Sequence, residues 1–133
     1  MPNEEIRFTY VLEGDIPSKK NSKNIYVRKT KAGKHRPFIT SSDRFKEWRE
    51  DAYIQMMAQF KPIEPLELVS TVVITIYYST LRATDLTNTA EGIMDLLVES
   101  NVLADDNYKV APAIFLYGVY RKGKGGAKII VQT

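Results

Sequence analysis

The 133-residue chain has no cysteine and a single histidine, His35. The first absence excludes disulfides and thiolate metal sites, and the second leaves oxygen atoms as the main ligands for any metal, which favours a hard divalent cation. Long apolar runs are missing too. The longest, Leu66 to Tyr78, is interrupted by Glu67, Ser70, Thr71 and Thr75, well short of the roughly 20 apolar residues that a membrane span needs. Met1-Pro2-Asn3-Glu4-Glu5 lacks the basic start and apolar stretch of an export signal. A soluble, cytoplasmic protein with no membrane partner is expected. With 44% hydrophobic residues, the chain has material for one core and not for two, so a single domain over 1–133 is expected.

Each sign of charge is absent from one long segment. From Lys19 to Arg36 there is no carboxylate, although Lys19, Lys20, Lys23, Arg28, Lys29, Lys31, Lys34 and Arg36 all fall there. From Ala83 to Tyr108 there is no lysine or arginine, although Asp85, Glu91, Asp95, Glu99, Asp105 and Asp106 do. A formal net charge of +3 therefore conceals a basic arm, about 17–38, and an acidic stretch, about 85–106. Such sorting suits a nuclease, which must attract phosphate over a basic surface and hold it near carboxylate-bound metal. It also suits a solvated loop followed by a solvated helix face.

Hydrophobic spacing predicts the elements. Ile6, Phe8, Tyr10 and Leu12 alternate as a half-buried strand, stopped by Gly14-Asp15-Ile16-Pro17. After the arm, whose turn is expected at Lys31-Ala32-Gly33-Lys34, Thr40-Ser41-Ser42-Asp43 opens a helix. That helix carries Phe45, Trp48, Ala52, Tyr53, Met56 and Phe60 on one face and stops at Pro62. Leu66 to Tyr78 reads as a long β-branched strand. A second helix runs from Leu86 or Asn88 to about Glu99, with Leu86, Ala90, Ile93, Met94 and Leu97 on its packed side. Asn88, Glu91, Gly92 and Asp95 lie on its polar side. Val110–Tyr120 and Ala127–Val131 read as two strands joined in a hairpin by Arg121-Lys122-Gly123-Lys124-Gly125-Gly126. The fold class expected is a small α/β (α+β) domain, a mixed sheet of about four strands with two helices.

Asp85 has an ordinary structural role open to it as a helix cap; Asn88 with Glu91 fits a capping box, and Asp105-Asp106-Asn107 fits a turn. Phosphodiester hydrolysis gives the same residues another use. It needs an activated water and a stabilised leaving oxygen, and Mg²⁺ supplies both when a few carboxylates hold it and leave coordination positions open.

The ordered run Pro17-Ser18-Lys19-Lys20-Asn21, then Asp85-Leu86-x-Asn88, Met94-Asp95-Leu96-Leu97 and Asp105-Asp106 resembles the signature of the RusA family of Holliday-junction resolvases and covers most of the chain. The resemblance implies a homodimeric, Mg²⁺-dependent endodeoxyribonuclease of recombination and repair, often phage- or prophage-borne, that nicks four-way DNA symmetrically. Mn²⁺ is the natural substitute metal. It also implies catalytic and metal-binding roles for Asp85 and Asp106, with Asp105 beside them.

Two departures stand out. Thr87 occupies a position where the family carries a carboxylate, and Glu91 aligns with an expected lysine. Glu91 is accordingly taken as a replacement acid, both catalytic and metal-binding, and Lys19 or Lys20, from either subunit, as a substitute for that lysine. Lys19, Lys20, Asn21, Lys23, Arg28, Lys29 and Arg36 are the expected DNA contacts, with Asn24 and Tyr26 beside them and Arg121, Lys122 and Lys124 on the expected hairpin turn. Helix length leaves two routes by which Asp106 meets Asp85: return along the helix, or contact across a dimer interface. The alternative reading is a junction-binding protein whose chemistry the two departures have disabled.

Overall fold

The computed structural model describes residues 5–18, 27–29, 35–37 and 41–133. The elements run β1 (Arg7–Glu13), β2 (Val27–Lys29), β3 (His35–Pro37), α1 (Ser41–Met57), β4 (Thr71–Tyr78), α2 (Leu86–Glu99), β5 (Ile114–Tyr120) and β6 (Gly126–Gln132). Four strands make one mixed sheet in the order β1-β6-β4-β5, and β2 with β3 makes a separate two-stranded ribbon. The expected four-stranded mixed sheet with two helices is what forms. No helix among the described residues is long and apolar enough to cross a membrane.

The sheet's register explains its core. Phe8, Val131 and Val72 share one row, Tyr10, Ile129 and Ile74 the next, and Leu12, Ala127 and Ile76 the third. All nine are buried, and α1 and α2 pack against the strands that carry them. Side chains alternate across a strand, so the intervening rows, such as Val11, Lys128 and Thr75, fall on the other face. α1 contributes Phe45, Trp48, Ala52 and Met56 to the core as its spacing predicts; Tyr53 and Phe60 remain exposed. Phe60, beyond the helix end, stacks on Phe8 with ring centroids 5.8 Å apart.

The expected hairpin between the last two strands does not form. β6 lies between β1 and β4, antiparallel to both, while β5 pairs parallel with the far side of β4. The link 121–125 steps across the end of β4, a move over two strand spacings of roughly 10 Å that five residues span easily. The approach to β1 is close there: a Cβ on Gly126 would stand 2.3 Å from the carbonyl oxygen of Leu12, so this position excludes a side chain. β6 gains two neighbours and buries Ala127, Ile129 and Val131, which a hairpin at the sheet's edge would not achieve.

Strand boundaries also shift. The run from Leu66 yields a strand only from Thr71, with Leu66 in an isolated parallel bridge to Leu103. Val110 and Ala111 belong to a turn closed onto Asn107, and β5 starts at Ile114. On α2, Gly92 leaves the polar side to which its spacing assigned it. A Cβ there would lie 2.8 Å from the Phe45 ring, so the missing side chain at Gly92 makes room for α1 against α2. Arg49 and Glu99, 3.3 Å apart, link the same two helices at the surface.

Candidate active site

The parallel pair β4–β5 with α2 between them forms a β-α-β unit, and in such units ligands collect beyond the carboxyl ends of the strands. Asp85 stands there, between β4 and α2. Its backbone is extended (φ −71°, ψ 112°) and its side chain caps the helix. Oδ1 accepts from the Thr87 N–H at 3.2 Å and from the Thr87 hydroxyl at 2.8 Å, while Oδ2 accepts from the Asn88 amide at 3.1 Å. The buried hydroxyl of Thr89 donates to the Asp85 carbonyl at 3.3 Å and accepts from the Tyr78 hydroxyl at 3.2 Å. The end of β4 is thereby tied to the first turn of α2, which fixes where Asp85 sits.

Asp85 and Asn88 line a cleft of about 310 Å³ with Ile16, Pro17, Ser18, Arg44, Arg82 and Thr84. Arg44 comes from the first turn of α1, Arg82 from the β4–α2 loop, and Pro17-Ser18 from the start of the basic arm. The Ser18 hydroxyl is buried without a hydrogen-bond partner among the described residues. Positive side chains beside a helix amino terminus suit an anion, because the helix dipole and the guanidinium groups act in the same sense. Sequence reasoning missed Arg44 and Arg82. Each is a single base outside the basic arm, and only the packing of α1 beside the β4–α2 loop brings them together.

The second acidic group lies toward the other end of α2. Ser100 ends the helix, its hydroxyl donating to the Leu96 carbonyl at 2.6 Å, and Asn101 takes a left-handed φ of 62° that reverses the chain. Asp105 then accepts from the Asp106 N–H at 2.7 Å and from the Asn107 amide at 3.1 Å. Asn107 in turn accepts from the N–H groups of Lys109 and Val110. Asp106 has its carboxyl held above the ordinary carboxylate range, first by burial, then by a hydrogen bond with Asp105 and by the charges of Asp95 and Asp105. The returning chain therefore sets Asp106 where the charge of Asp95 reaches it, and Asp95 lies ten residues beyond Asp85, about 15 Å further along the helix axis.

Of the expected acids, then, Asp105 and Asp106 are together in one turn, within reach of the charge of Asp95. Asp85 sits at the opposite end, and Glu91 is exposed on the intervening turn. No three acidic or histidine side chains among the described residues gather into a group that could hold a metal ion.

Of the expected DNA contacts, Arg28, Lys29 and Arg36 lie in the β2–β3 ribbon, whose register sets Arg28 opposite Arg36 and Lys29 opposite His35. No pattern of residues predicts these three-residue strands. Lys19, Lys20, Asn21, Lys23, Asn24 and Tyr26 lie outside the described residues, as does the expected turn at 31–34. Arg121 lies over the Tyr77 ring, 3.9 Å from its centroid, and donates to the Lys124 carbonyl at 2.8 Å. It is thus held by the sheet, while Lys122 and Lys124 are exposed.

Compared with protein-family models and with curated proteins, the chain matches none.

Proposed function

We propose that this chain is a Mg²⁺-dependent, structure-specific endodeoxyribonuclease that cuts four-way DNA junctions by phosphodiester hydrolysis, as its resemblance to the RusA family implies. The observation that carries the reading is the cleft in which Asp85 stands beside Arg44 and Arg82. A nuclease must hold a phosphate by its non-bridging oxygens and keep a carboxylate close to the phosphorus. In this reading the two guanidinium groups bind the phosphate, and the amino end of α2 adds its positive dipole. Asp85 supplies the carboxylate. The basic arm begins at the cleft, with Pro17 and Ser18 on its wall, so a strand bound along the arm leads into it.

The proposed metal ligands are Asp85, Glu91, Asp105 and Asp106, all oxygen donors suited to Mg²⁺ or Mn²⁺. Within one chain no three of the described carboxylates gather at one point. A homodimer, also part of the proposal, supplies a second set of the same acids.

One observation favours the alternative of a junction-binding protein that does not cut. Both carboxylate oxygens of Asp85 already accept hydrogen bonds from the helix start, and Thr87 offers no further charge. Cleavage of a labelled four-way junction and a matched linear duplex, with Mg²⁺ or with EDTA, separates the two. Paired nicks in the junction alone, requiring metal and lost in Asp106→Asn, are the expected result. Tight junction binding in EDTA with no cutting under Mg²⁺ or Mn²⁺ would replace the nuclease with the binding module.

A further inference from the structure

Both helices pack on the core rows of the main sheet, and no described helix or strand packs across the opposite face. That face is built from the rows between the core rows. Thr9, Ile130, Val73 and Phe115 form one; Val11, Lys128, Thr75 and Tyr117 form the next. Tyr77 and Val119 continue the surface toward the carboxyl end of β4. Phe115 is 48% exposed, Val11 52% and Tyr117 54%. A contiguous apolar and aromatic surface of this kind marks a binding face.

The charge on the face selects its partner. Lys128, exposed, stands near its centre on β6. Arg7 lies toward one end, its side chain donating to the Gln132 amide oxygen at 3.2 Å. Arg121 lies toward the other end, over the Tyr77 ring and 3.9 Å from its centroid. The four strands hold one carboxylate, Glu13 at a corner. A second copy laid face to face about the centre of the sheet would set Lys128 against its counterpart away from water, which is costly. An anion that also carries flat apolar rings meets both features of the face at once.

We propose that this face binds single-stranded DNA, with bases stacked on Phe115 and Tyr117 and backbone phosphates drawn to Lys128, Arg7 and Arg121. A four-stranded sheet with helices behind it and aromatic side chains in front is a platform for unpaired bases. Spacing decides for a single strand. Phe115 and Tyr117 are two residues apart on one strand, about 6.8 Å, twice the roughly 3.4 Å between stacked bases of a duplex. The two rings therefore take adjacent bases from a strand that has unstacked. Lys128 lies two strand spacings from Tyr117, about 10 Å, on the side where the backbone of a base stacked there can run. Val73, Val119 and Ile130 flank the rings with aliphatic surface, which favours the methyl group of thymine over uracil and hence DNA over RNA. None of these residues lines the cleft of Asp85, so the face is a second nucleic-acid site.

Fluorescence anisotropy with labelled oligo(dT) of roughly ten nucleotides, a length within the usual site size, tests the proposal in EDTA. Tyr117→Ala is expected to weaken binding on the order of tenfold, the loss of one stacked base, while Tyr117→Phe, which keeps the ring, binds as the wild type does. Lys128→Gln is expected to lower the slope of log affinity against log salt by about 0.7. Neither variant changes affinity for a matched duplex, and oligo(rU) binds more weakly than oligo(dT). Oligo(dT) carrying 5-bromodeoxyuridine is expected to cross-link under ultraviolet light to Phe115 or Tyr117, located by peptide mass spectrometry; if Tyr117→Ala does not fold by circular dichroism, this cross-link and Lys128→Gln decide. Unchanged oligo(dT) affinity in the folded variants, cross-links confined to residues 17–38, or equal binding of oligo(rU) overturns the proposal. So does a Tyr117→Ala protein that loses self-association in sedimentation and keeps its oligo(dT) affinity, since a second copy would then cover the face. Cleavage enters none of these readouts, so the face and the nuclease proposal stand or fall separately.

Discussion

The Thr87 hydroxyl donates to Oδ1 of Asp85 at 2.8 Å, and so holds the Asp85 carboxylate in the capping position. The bond has opposite effects on the two roles open to Asp85. It stabilises the start of α2, and it occupies an oxygen that a cation would use. Thr87→Asp removes the donor and adds a charge at the helix amino terminus, where the dipole favours it. The variant is expected to require less Mg²⁺ for half-maximal junction cleavage, on the order of tenfold, and to gain more thermal stability from added Mg²⁺ than the wild type does. Identical Mg²⁺ dependence in the two proteins would remove Thr87 and Asp85 from the metal site.

Gln55 and Gln59 act toward β1 as an extra strand would. Gln59 accepts from the Val11 N–H at 2.9 Å and donates to the Val11 carbonyl at 2.8 Å; Gln55 does the same at Glu13, at 2.8 and 3.0 Å. The match is geometric, since Gln59 follows the last turn of α1, four residues of helix rise about 6 Å, and two strand residues rise about 6.8 Å. Gln59→Ala uncovers both backbone groups of Val11 and is expected to cost about 1–2 kcal/mol. Amide exchange at Val11 should accelerate while that at Glu13, still covered by Gln55, changes little. Unaltered protection at Val11 would show that these bonds do not seal the edge.

What the sequence discloses and what it withholds follow one physical division. α2 was legible from Leu86 to Glu99 because its packed residues recur at helical spacing and Asp85 has the chemistry of a cap. The buried face of β1 was legible from Phe8, Tyr10 and Leu12 in the same way. Pairing partners were not. The alternation of Ala127, Ile129 and Val131 says that one face is buried, not that β1 and β4 are the neighbours, so the apparent hairpin with β5 gave way to a central position. The candidate site shows the same limit: the turn at Asp105-Asp106-Asn107 is local and legible from its residue types, whereas the cleft joins residues 16–18, Arg44 and residues 82–88, three stretches distant in sequence. The edge glutamines carried no signal at all, because only a strand lying beside them gives their amides a role.

Tyr10 offers a test of the core through pH. Its ring is fully buried, and its hydroxyl has no hydrogen-bond partner among the described residues. Burial pushes its pKa up to about 12, against about 10 in an unfolded chain. Between those values the unfolded chain has released a proton that the folded protein retains. The stability Tyr10 contributes is therefore fully present below pH 10 and is lost as pH rises toward 12, a loss of about 2–3 kcal/mol at most. Tyr10→Phe removes both the titration and the unpaired hydroxyl. Near pH 8 the variant is expected to equal the wild type or exceed it by about 1 kcal/mol, since an unsatisfied buried hydroxyl costs free energy. Near pH 11 its advantage should widen. Urea unfolding of both proteins at the two pH values checks this. A variant much less stable at pH 8 would mean that the hydroxyl has a partner, and parallel losses at pH 11 would mean that Tyr10 titrates as an ordinary tyrosine.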